Sequence, residues 1–127
     1  MRLVIGGYAQ GKLDYVLERY GILPEWVSSG QLPVEAECPD GPVVIDRLHQ
    51  WGREQIEKGE KPEENILQFV ERHPDCILIC DEIGNGIVPA EAKEREYRER
   101  TGRILVELAG RAEAVERIVC GIAQKIK

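Results

Sequence analysis

The chain has 127 residues, of which 43% are hydrophobic and 31% charged, and its formal net charge is −6. This length suits one core, so we expect residues 1–127 to form a single domain. An acidic balance repels phosphate backbones, which argues against nucleic-acid binding. No apolar run approaches the roughly 20 residues that a membrane span needs, so we expect a cytoplasmic protein without a membrane partner.

Short apolar runs alternate with stretches of helical period along the chain. In order, the pattern predicts a strand at 3–5, a helix at 13–20, a strand at 26–28, a loop at 31–41, a strand at 42–46, helices at 48–58 and 62–72, a strand at 76–80, a helix at 90–111 and a final pair of strands within 115–126. Strands that alternate with helices are typical of right-handed β-α-β units. We therefore predict an α/β fold with a mostly parallel sheet flanked by helices.

The loop after the first strand carries a phosphate-binding motif. Residues 6–12, GGYAQGK, match the first seven positions of G-x-x-x-x-G-K-[ST] between a predicted strand and a predicted helix. In such a loop, backbone N–H groups surround phosphate oxygens and the lysine reaches the terminal phosphates. This predicts a P-loop nucleotide-binding domain, with nucleotide contacts from Gly6, Gly7, Tyr8, Ala9, Gln10, Gly11, Lys12 and Leu13.

Lys12 is the first candidate for a catalytic residue, but the next position departs from the motif. Leu13 stands where a Ser or Thr hydroxyl would ligate Mg²⁺. Either water and carboxylates hold the metal, or the loop no longer supports phosphoryl transfer. The alternative interpretation is a plain glycine turn with Lys12 solvated on the first turn of the helix.

Carboxylates follow two of the predicted strands. Asp81 and Glu82 come directly after the strand at 76–80, and Asp46 ends the strand before it. Because parallel strands present their carboxyl ends at one edge, Lys12, Asp46 and Asp81 should converge on one crevice. We predict catalytic roles for Asp81 and Glu82 and a Mg²⁺ site at Asp81. Asp46 also fits as the cap of the following helix.

The cysteines and histidines predict no further site. Cys76, Cys80 and Cys120 lie in apolar runs, which favours reduced thiols inside buried strands. The spacing of cysteines and histidines does not match paired zinc knuckles, so we expect no thiolate metal site. We expect His49 and His73 to be surface residues.

Residues 81–89, DEIGNGIVP, resemble a stretch of the adenosylcobinamide kinase/adenosylcobinamide-phosphate guanylyltransferase family of cobalamin biosynthesis. The likeness extends through the glycine loop and through short matches at Tyr97-Arg98, Gly102-Arg103, Leu108-Ala109, Gly121-Ile122 and residues 125–127. It implies the P-loop fold, a site for ATP or GTP with Mg²⁺, a corrinoid substrate and a homo-oligomer, with a trimer expected.

The middle of the chain departs from the family pattern. Members carry an R-I-x-x-H-x-x-x-R-P segment whose histidine receives GMP, whereas this chain has no histidine between Ser29 and Val43. Leu105 also stands where asparagine is common in the family. The resemblance therefore implies a kinase that passes the γ-phosphate to a corrinoid hydroxyl without guanylyl transfer. The alternatives are a non-catalytic relative that binds nucleotide or corrinoid in regulation or assembly, and a kinase for another small alcohol.

Overall fold

The computed structural model describes residues 1–84 and 89–127. Its strands are β1 (Arg2–Gly6), β2 (Val27–Ser29), β3 (Val44–Asp46), β4 (Ile77–Asp81), β5 (Ala114–Val119) and β6 (Ile122–Lys125). Its helices are α1 (Lys12–Tyr20), α2 (Leu48–Glu57), α3 (Pro62–Arg72) and α4 (Ala92–Arg111), with 3-10 turns at Pro24–Trp26 and Glu35–Glu37. Part of the glycine loop predicted at 84–86, and part of the stretch that carries the family resemblance, lie outside the described residues.

The strands form one sheet in the order β2-β3-β4-β1-β5-β6. Strands β1 to β5 pair in parallel, and β6 runs antiparallel to β5. This confirms the predicted α/β fold with a mostly parallel sheet. As a consequence, β1, β3, β4 and β5 end at the same edge of the sheet, where ligands bind in open α/β folds.

Alternate residues of the central strands point to opposite faces, so each face has its own core. Leu3 and Leu78 belong to the first cluster, whereas Val4 and Ile79 belong to the second. Helix α2 covers the first face through Trp51, α3 through Phe69 and α4 through Leu108. Helix α1 covers the second face through Val16. An apolar layer on both faces explains why these strands read as unbroken apolar runs.

Two details differ from the sequence-based predictions. Cys76 and Cys80 are buried as expected, but Cys120 is exposed, because it begins the tight turn between β5 and β6 with a φ of 51°. Asp46 is not the N-cap residue of α2: Arg47 occupies that position in the left-handed conformation, and no side-chain hydrogen bond caps the helix there. Among the helices of residues 1–84 and 89–127, none combines the length and apolar character that a membrane crossing requires.

Candidate functional site

The glycine loop turns sharply between β1 and α1. Gly11 has a φ of 88° and Ala9 a φ of 55°, so the loop passes twice through the left-handed region. Helix α1 begins directly afterwards at Lys12. The unpaired N–H groups of its first turn and the positive end of its dipole therefore lie at the loop, as anion binding requires.

Gln10 attaches the loop to the turn between β5 and β6. Its backbone carbonyl accepts the N–H of Gly121 at 2.8 Å, and its side-chain Oε1 accepts the N–H of Cys120 at 2.8 Å. From the motif, Gln10 is predicted only as a ligand contact. The structure adds a second role, because these two hydrogen bonds hold the loop from outside the β1–α1 unit.

Lys12 is not a solvated residue. Only 7% of it is exposed, and its ammonium donates a hydrogen bond to the Gly7 carbonyl at 2.7 Å. The same Nζ lies 2.7 Å from Oδ1 of Asp81, at the end of β4. The lysine is therefore held between the loop and the strand carboxylate, inside the crevice predicted from the sequence.

A cleft of about 460 Å³ opens at the carboxyl edge of the sheet. Ligand pockets commonly have volumes of about 300–1,000 Å³. The cleft is lined by Tyr8, Ala9, Gln10, Gly11, Lys12, Leu13, Asp14, Asp46, Arg47, His49, Gln50 and Asp81. Most of the predicted site residues thus meet in one place, and α2 adds residues that the motif did not indicate.

Three carboxylates line this cleft: Asp46 and Asp81 at the ends of β3 and β4, and Asp14 on the first turn of α1. Burial raises the pKa of the Asp46 carboxyl, and the charge of Asp81 acts in the same direction. The backbone N–H of Arg47 and the charges of Arg47 and Lys12 oppose the rise. A bound cation would stabilise the ionised carboxylates, and carboxylate oxygens are the ligands that Mg²⁺ prefers.

His49 is not the surface residue that we expected. Its side chain is 11% exposed, and its Nδ1 accepts the backbone N–H of Asp81 at 3.2 Å. Its Nε2 lies 3.5 Å from Oδ2 of Asp81. Burial lowers the pKa of the imidazole, against the opposing charge of Asp81, and this favours a neutral ring. Because Nδ1 accepts the Asp81 N–H, the proton of a neutral ring lies on Nε2. Its position one turn after Asp46, near a strand end, is the signal that could have indicated it.

Three of the predicted site residues do not line the cleft. The Glu82 carboxylate accepts two hydrogen bonds from Arg117 on β5, at 2.9 and 3.1 Å. Gly6 lies against β5, and Gly7 contributes its carbonyl to Lys12. The geometry therefore favours Asp81 over Glu82 as the carboxylate that faces a ligand.

These features define the class of the protein. A buried lysine begins the helix after a glycine-rich loop, and a carboxylate at the end of the neighbouring strand faces it, which is the arrangement of an α/β P-loop protein. The family model of cobinamide kinase / cobinamide phosphate guanyltransferase matches residues 28–126. The chain belongs to this family, whose named members act in cobalamin biosynthesis.

Individual relatives agree with this assignment. The chain is 32% identical over 80 residues to the bifunctional adenosylcobalamin biosynthesis protein CobU of Escherichia coli and 36% identical over 80 residues to that of Salmonella typhimurium. Each match covers 61% of this chain and 44% of the relative, so it spans less than half the length of these curated relatives. An adenylosuccinate synthetase of Magnetococcus marinus is 44% identical over 46 residues, which are 36% of this chain and 11% of that protein.

The family match corrects one expectation. We found no likeness in the middle of the chain, but the matched region begins at residue 28 and includes β3, α2 and α3. Short motifs carry the resemblance in the sequence, and this middle part of the chain lacks them. The glycine loop precedes the matched region, so its assignment rests on the geometry of Lys12 and its neighbours.

Proposed function

We propose that the chain is a kinase that transfers the γ-phosphate of ATP or GTP to the hydroxyl of a corrinoid. One observation carries the proposal. Lys12, the first residue of α1, places its buried ammonium 2.7 Å from Oδ1 of Asp81 at the end of β4, in a cleft lined by the glycine loop. A cation, free N–H groups and a carboxylate at one point are the parts that phosphoryl transfer uses. Family membership supplies the corrinoid as the substrate class.

In this proposal the loop and α1 bind the nucleotide phosphates. Backbone N–H groups of residues 8–12 would donate to phosphate oxygens, and the dipole of α1 favours the negative charge. Lys12 would exchange the Gly7 carbonyl for a phosphate oxygen. Arg47 is exposed and lines the same cleft, so it would add a second cation.

The carboxylates that line the cleft suit a magnesium ion. Leu13 lines the cleft, but its side chain has no oxygen, and it packs partly against the second core cluster. Asp81, with Asp46 beside it, would therefore hold the ion through water. Bound magnesium supplies neutralisation of the charge that develops on the transferred phosphoryl group. Asp81 is itself positioned by His49, which accepts its backbone N–H.

The test is an incubation of the pure protein with magnesium and ATP or GTP, with and without cobinamide, followed by mass spectrometry. We expect a phosphorylated corrinoid, and a loss of about 100-fold or more in rate for Asp81→Asn, since groups that stabilise transition-state charge commonly contribute this much. Asp75→Asn, an exposed residue before β4, is the matched control and should retain activity. Glu82→Gln should lose far less than Asp81→Asn, and an equal loss would contradict our choice between the two carboxylates.

The second candidate function is nucleotide or corrinoid binding without turnover. The observation that favours it is Leu13, which leaves the loop without a hydroxyl for the metal. In that case ATP or GTP would bind with an affinity that depends on Lys12, while no corrinoid would be phosphorylated. The same incubation, combined with calorimetric titration, distinguishes the two functions.

We also predict that guanylyl transfer is absent, because residues 30–42 contain no histidine and form no α-helix, only the 3-10 turn at Glu35–Glu37. Incubation with labelled GTP should leave no acid-labile GMP on the protein. His49 lies in the cleft and His73 lies outside its lining, so His49→Ala and His73→Ala form a matched pair. Labelling of the wild type that His49→Ala abolishes would show a relocated nucleophile and contradict the prediction.

A trimer is the proposed oligomeric state. The resemblance implies it, and the sheet edge at β6 presents apolar side chains to solvent, with Val119 44%, Ile122 73% and Ile126 55% exposed. Exposed apolar side chains on an edge strand favour association. Light scattering at micromolar concentration should give three times the chain mass, and a monomer would contradict the proposal.

Cytoplasmic residence and one domain over residues 1–127 stay predictions.

A further inference from the structure

A second group of side chains with metal-ligand chemistry lies outside the lining of the cleft, where the segment after β2 meets the end of α3. Glu35 begins a 3-10 turn, Cys38 follows this turn, and His73 follows α3. One carboxylate oxygen, the thiol sulfur and an imidazole nitrogen all lie within 4.8 Å of one another. Sulfur, nitrogen and oxygen in one small volume form a mixed donor set of the kind that zinc binds.

The distances within this group suit a tetrahedral ion. Nε2 of His73 lies 3.0 Å from Oε1 of Glu35 and 3.8 Å from Sγ of Cys38. Zinc bonds of about 2.0–2.2 Å to nitrogen and oxygen and about 2.3 Å to sulfur separate tetrahedral neighbours by about 3.3–3.6 Å. The observed distances lie on either side of this range, so small side-chain shifts would bring all three atoms onto one ion.

The group is partly held in place before any ion binds. The His73 ring packs 4.6 Å from the Phe69 ring, and its side chain is only 13% exposed, so His73, like His49, is not the surface residue that we expected. The Arg72 guanidinium lies 3.1 Å from the same Glu35 oxygen and competes with an ion for it. The carboxylate has a second oxygen, which can keep Arg72 while the first binds metal.

Against the expectation from cysteine and histidine spacing that there is no thiolate metal site, we propose that Glu35, Cys38 and His73 bind one divalent ion of the zinc class, with water as the fourth ligand. The ion replaces the thiol proton of Cys38, which passes to solvent. It links the segment between β2 and β3 to the end of α3. Cys38 and His73, which lie in these two parts of the chain, are 35 residues apart in sequence. The site is independent of the proposed kinase function, since none of its ligands lines the cleft.

The test is metal titration of the tag-free, reduced full chain. We expect one Zn²⁺ per chain by calorimetry and, with Co²⁺, a near-ultraviolet thiolate charge-transfer band and visible bands typical of tetrahedral coordination. Cys38→Ser and His73→Gln should each weaken binding at least tenfold. Cys38→Ser should remove the charge-transfer band, and His73→Gln should remove the tetrahedral bands. Cys120→Ser, which removes an exposed thiol elsewhere, is the matched control and should bind like the wild type.

Several outcomes would overturn the proposal. These are no metal binding by the wild type, equal binding by Cys38→Ser, or a signal that Asp81→Asn abolishes and Cys38→Ser retains, which would place the ion in the cleft. Circular dichroism of the metal-free variants shows whether they are folded, and Glu35→Gln, whose side chain is exposed, supplies a ligand change with little risk to the fold. Lys12→Met should bind zinc normally even if the nucleotide proposal fails.

Discussion

Replacement of Lys12 by methionine is expected to weaken ATP and GTP binding by about 100-fold. Hydrogen bonds to charged groups contribute about 1.5–3 kcal/mol, and each 1.4 kcal/mol is a factor of ten in affinity. Methionine keeps most of the apolar stem that packs in the buried site but removes the ammonium that faces the glycine loop. Calorimetric titration of the nucleotide into both proteins measures the effect.

The matched control for this change is Lys58→Met, which removes an exposed lysine at the end of α2. Lys12→Met leaves the partly buried Asp81 carboxylate without its cation, so its free energy of unfolding should fall as well. The double variant with Asp81→Asn should recover part of that stability without recovering nucleotide affinity. Equal affinity in wild type and Lys12→Met, or none in either, would contradict a phosphate site at the glycine loop and the start of α1.

The fold was predictable because its determinants are local. The unbroken apolar runs of β1 and β4 indicate strands covered on both faces, and the spacing from Leu13 to Gly21 indicates α1 with its end. The crevice formed by Lys12 and Asp81 followed from topology alone, since parallel strands end at one edge. These inferences need no knowledge of which side chains touch.

The remaining contacts join residues that are distant in the chain. His49 lies beside Asp81 because β3 and β4 are neighbours, so no spacing within α2 could indicate the contact. Glu82 pairs with Arg117 at 2.9 Å although β1 lies between β4 and β5 in the sheet. Such partners depend on strand order and rotamers, which a single sequence does not determine.

Gly6 shows how one motif residue can serve packing and not ligand binding. A Cβ on Gly6 would lie 2.6 Å from the backbone carbonyl oxygen of Ile118, its register partner on β5, and 3.3 Å from Cδ of Lys12. The lysine stem can move, but the backbone carbonyl of a residue paired on both sides in the sheet cannot move without disturbing the ladder. The position therefore excludes any side chain because β1 and β5 approach so closely there.

Gly6→Ala is accordingly expected to lower the free energy of unfolding by about 3 kcal/mol, the upper part of the usual range for an overpacked core. Urea denaturation measures it. Gly110→Ala is the matched control: this exposed glycine of α4 would place a Cβ in open space, and alanine favours a helix by about 0.5–1 kcal/mol. If Gly6→Ala is as stable as the wild type but loses nucleotide affinity, then Gly6 contacts the ligand, as the motif alone predicts, and the packing explanation is wrong.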